Sequence, residues 1–171
     1  MATSESGVLT IRPTQKLAKK LKREVDQSVP VQDNPLLDWH ATLFTYGRGQ
    51  YILFLNTATL YTAIAHGAGI TNEDRFLKLF FSTVESQMRR DALREAYVDH
   101  VANAENGLLL ARAANRSATG IMTEYVKVAK DELDEKSPGQ IASLLNAMIW
   151  SPIDYKQPLE CLRVAASRLD H

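Results

Sequence analysis

Cysteine is nearly absent from this sequence. Cys161 is the one cysteine in 171 residues, so the chain forms no intramolecular disulfide. An excess of one charge is missing too: Lys+Arg and Asp+Glu are each 20, and a balanced chain has no overall attraction to nucleic acid or an anionic membrane. The longest apolar runs, such as 51–55, are far too short to span a bilayer. The polar first residues lack the apolar stretch of a secretory signal, and we expect a cytoplasmic protein.

Motifs that define a reaction are also missing. There is no Gly-x-Ser-x-Gly or Ser-x-x-Lys pattern for a covalent hydrolase, and no Gly-x-Gly-x-x-Gly or P-loop pattern for phosphate. Cys161 has no histidine near it in the sequence, which favours a structural thiol. The histidines have no metal-ligand spacing; they are His40, His66, His100 and His171. We expect no metal and no cofactor, and whether the chain is an enzyme stays open.

The composition and length are those of one globular domain, and the order of its predicted strands and helices indicates the α+β class. With 45% hydrophobic residues, a chain of this length can bury a core without a disulfide or a metal. Residues 1–7 are small and polar and are predicted to be a disordered tail, and 8–171 to form a single domain.

A β-hairpin is the clearest local pattern. Two β-rich runs, 39–46 and 51–55, flank a short connector that contains Gly47 and Gly49. Another strand is predicted at 60–65, where frequent alanine leaves a helix as the alternative. Short strands are also predicted at 8–11 and 108–114.

Helices are predicted from capping residues and from apolar residues spaced by three and four. Thr14 begins one whose apolar face reaches Val25, and others begin at Thr71, Asp91, Ser117, Ser137 and Pro158. Because strict β-α alternation is missing, we predict a mixed, mainly antiparallel sheet of four or five strands with four to six helices packed on it. The predicted core residues are Trp39, Leu53, Leu55, Phe76, Phe80, Leu109 and Ile121.

Residues 115–120 form the first candidate site. They follow a predicted strand and open a predicted helix, where free backbone N–H groups, the Ser117 hydroxyl and the Arg116 guanidinium suit a phosphate or carboxylate. Asn115 and, from the first hairpin strand, His40 complete the ligand-binding candidates. An ordinary capped helix, with Arg116 paired to an acid, is the competing interpretation.

A basic stripe is the second candidate. Residues 12–23 contain six cations and no acid: Arg12, Lys16, Lys19, Lys20, Lys22 and Arg23. Such a stripe suits a nucleic-acid backbone. No aromatic residue interleaves it, and a solvated helix face is the competing interpretation.

Three motifs together resemble a bacterial family described only as a domain of unknown function: Trp39-His40-Ala41-x-Leu43, Phe54-Leu55-Asn56 and Asn115-Arg116-Ser117-x-x-Gly120-x-Met122. The similarity of layout covers about residues 8–160 and includes Leu145-Asn146 and Pro152-x-x-Tyr155-x-x-Pro158. Asn is usual in the family where this chain has Thr42, so that position departs from the pattern. The resemblance implies a small bacterial single-domain protein, sometimes on mobile elements, and implies no substrate.

These observations favour a non-enzymatic binding or regulatory module that recognises an anionic small molecule or protein partner. The alternative is an enzyme acting on a phosphorylated or nucleic-acid substrate, with His40 as acid–base group and Arg116 stabilising charge. The distance between His40 and Arg116 distinguishes these two hypotheses, because the enzyme hypothesis requires both residues at one cleft. The sequence is compatible with nucleic acid as a partner and with a homo-oligomer. We expect no membrane partner.

Overall fold

A five-stranded sheet, in the order β4-β3-β2-β1-β5, runs through the computed structural model, which describes residues 8–93, 98–99, 101 and 107–170. Its strands are β1 Leu9–Pro13, β2 Asp38–Tyr46, β3 Gly49–Asn56, β4 Thr62–His66 and β5 Leu108–Leu110. β1 pairs in parallel with β2 and β5, whereas β3 pairs antiparallel with β2 and β4. The predicted α+β class with a mixed sheet is confirmed, with parallel and antiparallel pairs in equal number.

Five α-helices in the described residues cover the two faces of the sheet: α1 Gln15–Lys20, α2 Glu73–Arg90, α3 Arg116–Glu132, α4 Pro138–Ala147 and α5 Pro158–Ser167. The first core lies between one face and α1, α2 and α5, and contains Phe54 and Phe80. The second lies between the other face and α3 and α4, and contains Leu55 and Tyr125. Because side chains alternate along a strand, the neighbours Phe54 and Leu55 enter different cores.

The predicted hairpin is confirmed and consists of β2 and β3. Tyr46 pairs with Gly49, which leaves Gly47 and Arg48 as a two-residue loop. Gly47 has a φ of 58°, a left-handed conformation that glycine adopts without strain and that suits a tight hairpin. The segment predicted at 60–65 as strand or helix is strand β4.

Three predicted bounds are corrected. β1 continues to Pro13, because residues 10–13 pair in register with β2. α1 ends at Lys20 rather than near Val25, because Lys22 has a left-handed φ of 58°. β5 stops at Leu110 rather than 114, because the chain then leaves β1 and the Arg112 N–H donates to the carbonyl of Gln27.

The predicted core is buried with one exception. Leu109 is half-buried, since β5 is the outermost strand on its side of the sheet. The predicted tail 1–7 lies outside the described residues. The helix predicted from Asp91 does not begin there, because Asp91 is the C-cap of α2 and Ala92 has a left-handed φ of 59°. Most of the residues that follow in that predicted helix lie outside the described ones. Within the described part of the chain, no helix has the length and apolarity that crossing a bilayer requires.

Candidate functional site

A crevice opens where β1 and β5 end. The two strands are parallel neighbours, yet the helices that follow them pack on opposite faces: α1 in the first core and α3 in the second. In open sheets, this divergence leaves a space beyond the carboxyl ends of the strands, and ligands of α/β proteins commonly bind there.

Two adjoining cavities occupy this crevice. One of about 270 Å³ lies at the strand ends, and one of about 430 Å³ continues between β2 and α3. Both are lined by Thr14, Thr119 and Met122. We call the two together the β1–α3 groove.

The lining of the β1–α3 groove is cationic and hydroxyl-rich. Arg112 lies at the strand-end cavity, and Lys127 and Lys130 lie at the other, all three exposed. The Lys127 Nζ lies 3.4 Å from the Glu124 Oε1. Arg112 and Lys130 make no ion pair with any residue that the structure describes. No aspartate or glutamate of the described chain lines the groove. Its hydroxyl groups belong to Thr14, Thr42, Thr119 and Thr123. Its apolar lining consists of Leu43, Phe44, Met122 and Val126.

His40 lies beneath the strand-end cavity in a buried chain of hydrogen bonds. Its Nε2 accepts from the Ala114 N–H at 3.0 Å and therefore carries no proton. Its Nδ1, 2.9 Å from the Thr57 Oγ1, then donates to that hydroxyl. Thr57 in turn donates to the Asp38 Oδ1 at 2.6 Å.

The imidazole of His40 is held neutral by this environment. Burial lowers the pKa of His40 to about 4; Asp38 raises and Arg12 lowers it by smaller amounts. Both ring nitrogens are hydrogen-bonded within the protein, so neither has a lone pair or proton free for a ligand.

Arg12 and Asp38 form a buried ion pair beside His40. The guanidinium Nε and NH2 each donate to one carboxylate oxygen at 2.9 Å, and each side chain is 1% exposed. Arg12 also donates to the carbonyls of Val29, Pro30 and Arg112. These bonds attach the loop after α1 and the segment after β5 to β1, and so they shape one wall of the groove.

The expectation of a basic stripe is corrected for Arg12, which is buried because β1 extends through it. Of the other cations, Lys16 and Lys19 are exposed on α1. Lys20 donates to the carbonyl of Gly67, and Arg23 pairs with Glu73. Because α1 ends at Lys20, these cations do not share one continuous helical face.

His40 and the predicted segment 115–120 do meet in the structure. Thr119 lines the cavity above His40, and Ala114 bonds to its ring. Asn115 rather than Ser117 caps α3, since its side chain accepts from the Ala118 N–H at 2.8 Å. Arg116 and Ser117 are exposed in the first turn and lie outside the groove lining.

The cations of the β1–α3 groove were not predicted from the sequence. Thr119, Thr123, Lys127 and Lys130 follow one another at helical spacings of four, four and three, which places them along one side of α3. This spacing could have indicated that these α3 residues share one surface. No sequence pattern indicates the position of Arg112, because that position depends on where β5 leaves the sheet.

Metal and thiol chemistry gain no support from the described residues. No group of three or more His, Cys, Asp or Glu among them is placed to hold a metal ion. His40 and His66 lie apart, since His40 pairs with Leu55 and His66 with Tyr51, four residues away along β3. Cys161 is half-buried on α5, and burial raises the pKa of its thiol.

The fold and the groove define an α+β domain with an open mixed sheet and a cationic crevice at its strand ends. A family model described as a domain of unknown function (DUF6933) matches residues 10–161, and the chain belongs to this family. The predicted membership of a domain-of-unknown-function family is thereby confirmed. No curated protein and no solved structure matches the chain.

Proposed function

We propose that this protein is a non-enzymatic binding module that recognises an anionic ligand in the β1–α3 groove. One observation carries the proposal: cations and threonine hydroxyls line a crevice at the strand ends, and no carboxylate of the described chain lines it. Arginine, lysine and hydroxyl groups are the donors that phosphate and carboxylate ligands use. A carboxylate in the lining would repel such a ligand.

The dimensions of the groove favour an elongated small molecule. Each cavity has a volume near the lower end of the range for small-molecule sites, about 300–1,000 Å³. The rise of an α-helix puts Thr119 and Lys130 about 16 Å apart along α3. A ligand with an apolar middle over Phe44 and Met122 and with separated anionic groups fits this distribution.

Binding without catalysis is supported by the state of His40. A general acid or base must exchange a proton with its substrate, and both His40 nitrogens are already engaged by Ala114 and Thr57. Arg116, the other residue of the enzyme alternative, lies outside the groove lining. We also propose that this is a bacterial, cytoplasmic protein, since a single cysteine is typical of a reducing compartment and the family that the sequence resembles is bacterial.

Isothermal titration calorimetry with inorganic phosphate, AMP and citrate tests the proposal. Lys130→Glu should weaken binding of the best of these anions at least about tenfold, because it reverses a charge in the groove lining. The matched control is Lys78→Glu, at an exposed position on α2 that lies on the other face of the sheet. That variant should bind as the wild type does.

Two outcomes would contradict the proposal. One is that none of the three anions binds at millimolar concentration. The other is that Lys130→Glu and Lys78→Glu bind with equal affinity, because the groove would then contribute nothing specific. Melting temperatures of both variants check that each remains folded.

A further inference from the structure

The outer edge of β4 has backbone groups that no strand of the described residues covers. In that part of the chain, β4 is the last strand on its side of the sheet and pairs only with β3. Alternate residues of an antiparallel strand direct their N–H and C=O groups to opposite sides. The Asn56 N–H donates to the Tyr61 carbonyl and the Gly67 N–H to the Gln50 carbonyl, so odd-numbered residues face β3. The even-numbered Thr62, Ile64 and His66 therefore face outward.

One end of this edge is covered by a side chain. The Asn146 amide on α4 accepts from the Thr62 N–H at 2.8 Å and donates to the Thr62 carbonyl at 3.0 Å, as a neighbouring strand would. Beside it, Gln87 of α2 donates to Ser143 of α4 at 2.9 Å, so the two helices meet over Thr62. Within the described ranges, no group does the same for Ile64 or His66.

An open groove of about 900 Å³ runs along the uncovered part of the edge. β4 provides its floor with Ile64, Ala65 and His66; α2 forms one wall, and the start of α4 the other. Its volume is near the upper limit for ligand pockets, and a further strand would lie about 4.8 Å from β4. We call it the β4-edge groove.

Arg90 gives the β4-edge groove a positive charge. Its guanidinium packs against Gly139, where an added Cβ would come within 2.8 Å of the Arg90 Nε, so the glycine permits this approach. Arg90 is exposed and makes no ion pair with another described residue. Among those residues, no aspartate or glutamate lines the groove. The complementary ligand has an extended backbone and a carboxylate.

We propose that the β4-edge groove binds an extended acidic peptide segment of a partner protein, which pairs with Ile64 and His66 as an added strand and places a carboxylate on Arg90. Strand addition to an exposed edge is an established mode of peptide recognition, in which backbone bonds give affinity and side chains give specificity. The site is separate from the β1–α3 groove, and the two share no lining residue. Each proposal can therefore fail without the other.

Fluorescence anisotropy with a labelled peptide of alternating valine and glutamate, Val-Glu-Val-Glu-Val-Glu, tests the backbone contact. His66→Pro removes an outward N–H at a position where an edge strand tolerates proline, and it should weaken binding about five- to tenfold. His66→Ala also loses the imidazole but keeps the N–H. It is the reference for the proline variant: His66→Pro should bind about five- to tenfold more weakly than His66→Ala, because only the proline removes the backbone N–H.

A second set of variants tests the contribution of the Arg90 charge. Arg90→Glu should abolish binding of the peptide. Lys78→Glu should not, because Lys78 is exposed and lies outside the groove lining. A peptide with lysine in place of glutamate should fail to bind the wild-type protein. Binding of both peptides with equal affinity would overturn the proposed charge recognition.

Three further results would overturn the proposal. The first is that the acidic peptide does not bind the wild-type protein. The second is that a peptide N-methylated on alternate residues, which cannot form a ladder, binds equally well; this arm holds even if His66→Pro fails to fold. The third is a wild-type dimer in sedimentation velocity that His66→Ala leaves intact and His66→Pro converts to a monomer. The occupant of the edge would then be a second copy of the chain.

Discussion

Single buried polar residues hold the strand-end region of this domain together. Among the residues that the structure describes, every buried side-chain nitrogen and oxygen has a hydrogen-bond partner. Next to the β1–α3 groove, the buried polar residues include the Arg12–Asp38 ion pair and His40. Such groups add little stability over apolar replacements, but removing one partner is costly because the other stays buried and unpaired.

Arg12→Met should therefore destabilise the protein by about 3–5 kcal/mol, since it leaves the Asp38 carboxylate buried without its cation. The double variant Arg12→Met, Asp38→Leu removes both charges and should recover a large part of that loss. Urea unfolding at pH 7 measures both. A single variant that loses less than about 1 kcal/mol would show that the pair is solvated in solution.

His40 makes the stability depend on pH. Its folded pKa of about 4 is below the ordinary 6.5, so the unfolded chain takes up the proton first as the pH falls. The stabilising effect of neutral His40 is complete above pH 6.5 and is lost as the pH falls toward 4. By pH 5 the loss amounts to about 2 kcal/mol.

Urea unfolding of the wild type and of His40→Gln at pH 7 and pH 5 isolates this effect. The variant should lose about 2 kcal/mol less than the wild type between the two pH values, because glutamine does not titrate. Equal losses would mean that His40 is accessible to protons in the folded state.

At the scale of elements, helix starts are set by side chains that are close in sequence. Asn115 caps α3, Asn72 caps α2, and Ser137 forms a complete capping box with Gln140 at α4. Each satisfies backbone N–H groups that the first helical turn leaves without a partner.

Asn115→Ala should cost about 1 kcal/mol, because the Ala118 N–H loses its acceptor. Ser117→Ala is the matched control: the residue is exposed in the first turn and does not cap the helix. Its unfolding free energy should stay within about 0.5 kcal/mol of the wild-type value. The reverse order of the two effects would place the cap at Ser117 after all.

Local patterns predicted the elements whose causes are local. The hairpin follows from Gly47 and the strand propensity on either side, and α4 from Ser137 and Gln140. The end of α1 and the short β5 were not predictable in this way. Leu21 remains buried after the helix has ended, so the apolar spacing continues past the last turn.

The candidate site was predictable only in part, for the same reason. The sequence pointed to His40 and to residues 115–120, which do meet. What His40 does there depends on Ala114, 74 residues away, and the burial of Arg12 depends on Asp38, 26 residues away. No pattern within a helix or strand carries such pairings.

On the scale of the whole molecule, one sheet separates two apolar cores. Phe80 packs edge-on against Trp39 and Phe54 in the first core, with ring centroids 5.3 Å apart in both pairs. Leu145 is buried in the second. The two positions share no core cluster, and the sheet lies between them.

Phe80→Ala should cost about 3–5 kcal/mol and Leu145→Ala about 2–5 kcal/mol, since each leaves a cavity in a filled core. The double variant should lose the sum of the two within about 0.5 kcal/mol, because distant sites without shared partners act independently. Urea denaturation followed by tryptophan fluorescence and circular dichroism measures all three. A loss below about 1 kcal/mol for Phe80→Ala would contradict its enclosure.

The position of β1 between β2 and β5 has a consequence for synthesis on the ribosome. β1 is translated before the other four strands, yet its Ile11 pairs with Leu110. The Arg12 guanidinium likewise donates to the carbonyl of Arg112, 100 residues downstream. Until β5 has been synthesised, the edge of β1 that β5 covers has no partner strand. We therefore expect the nascent chain to be more prone to aggregation before residues 108–112 have left the ribosome than after.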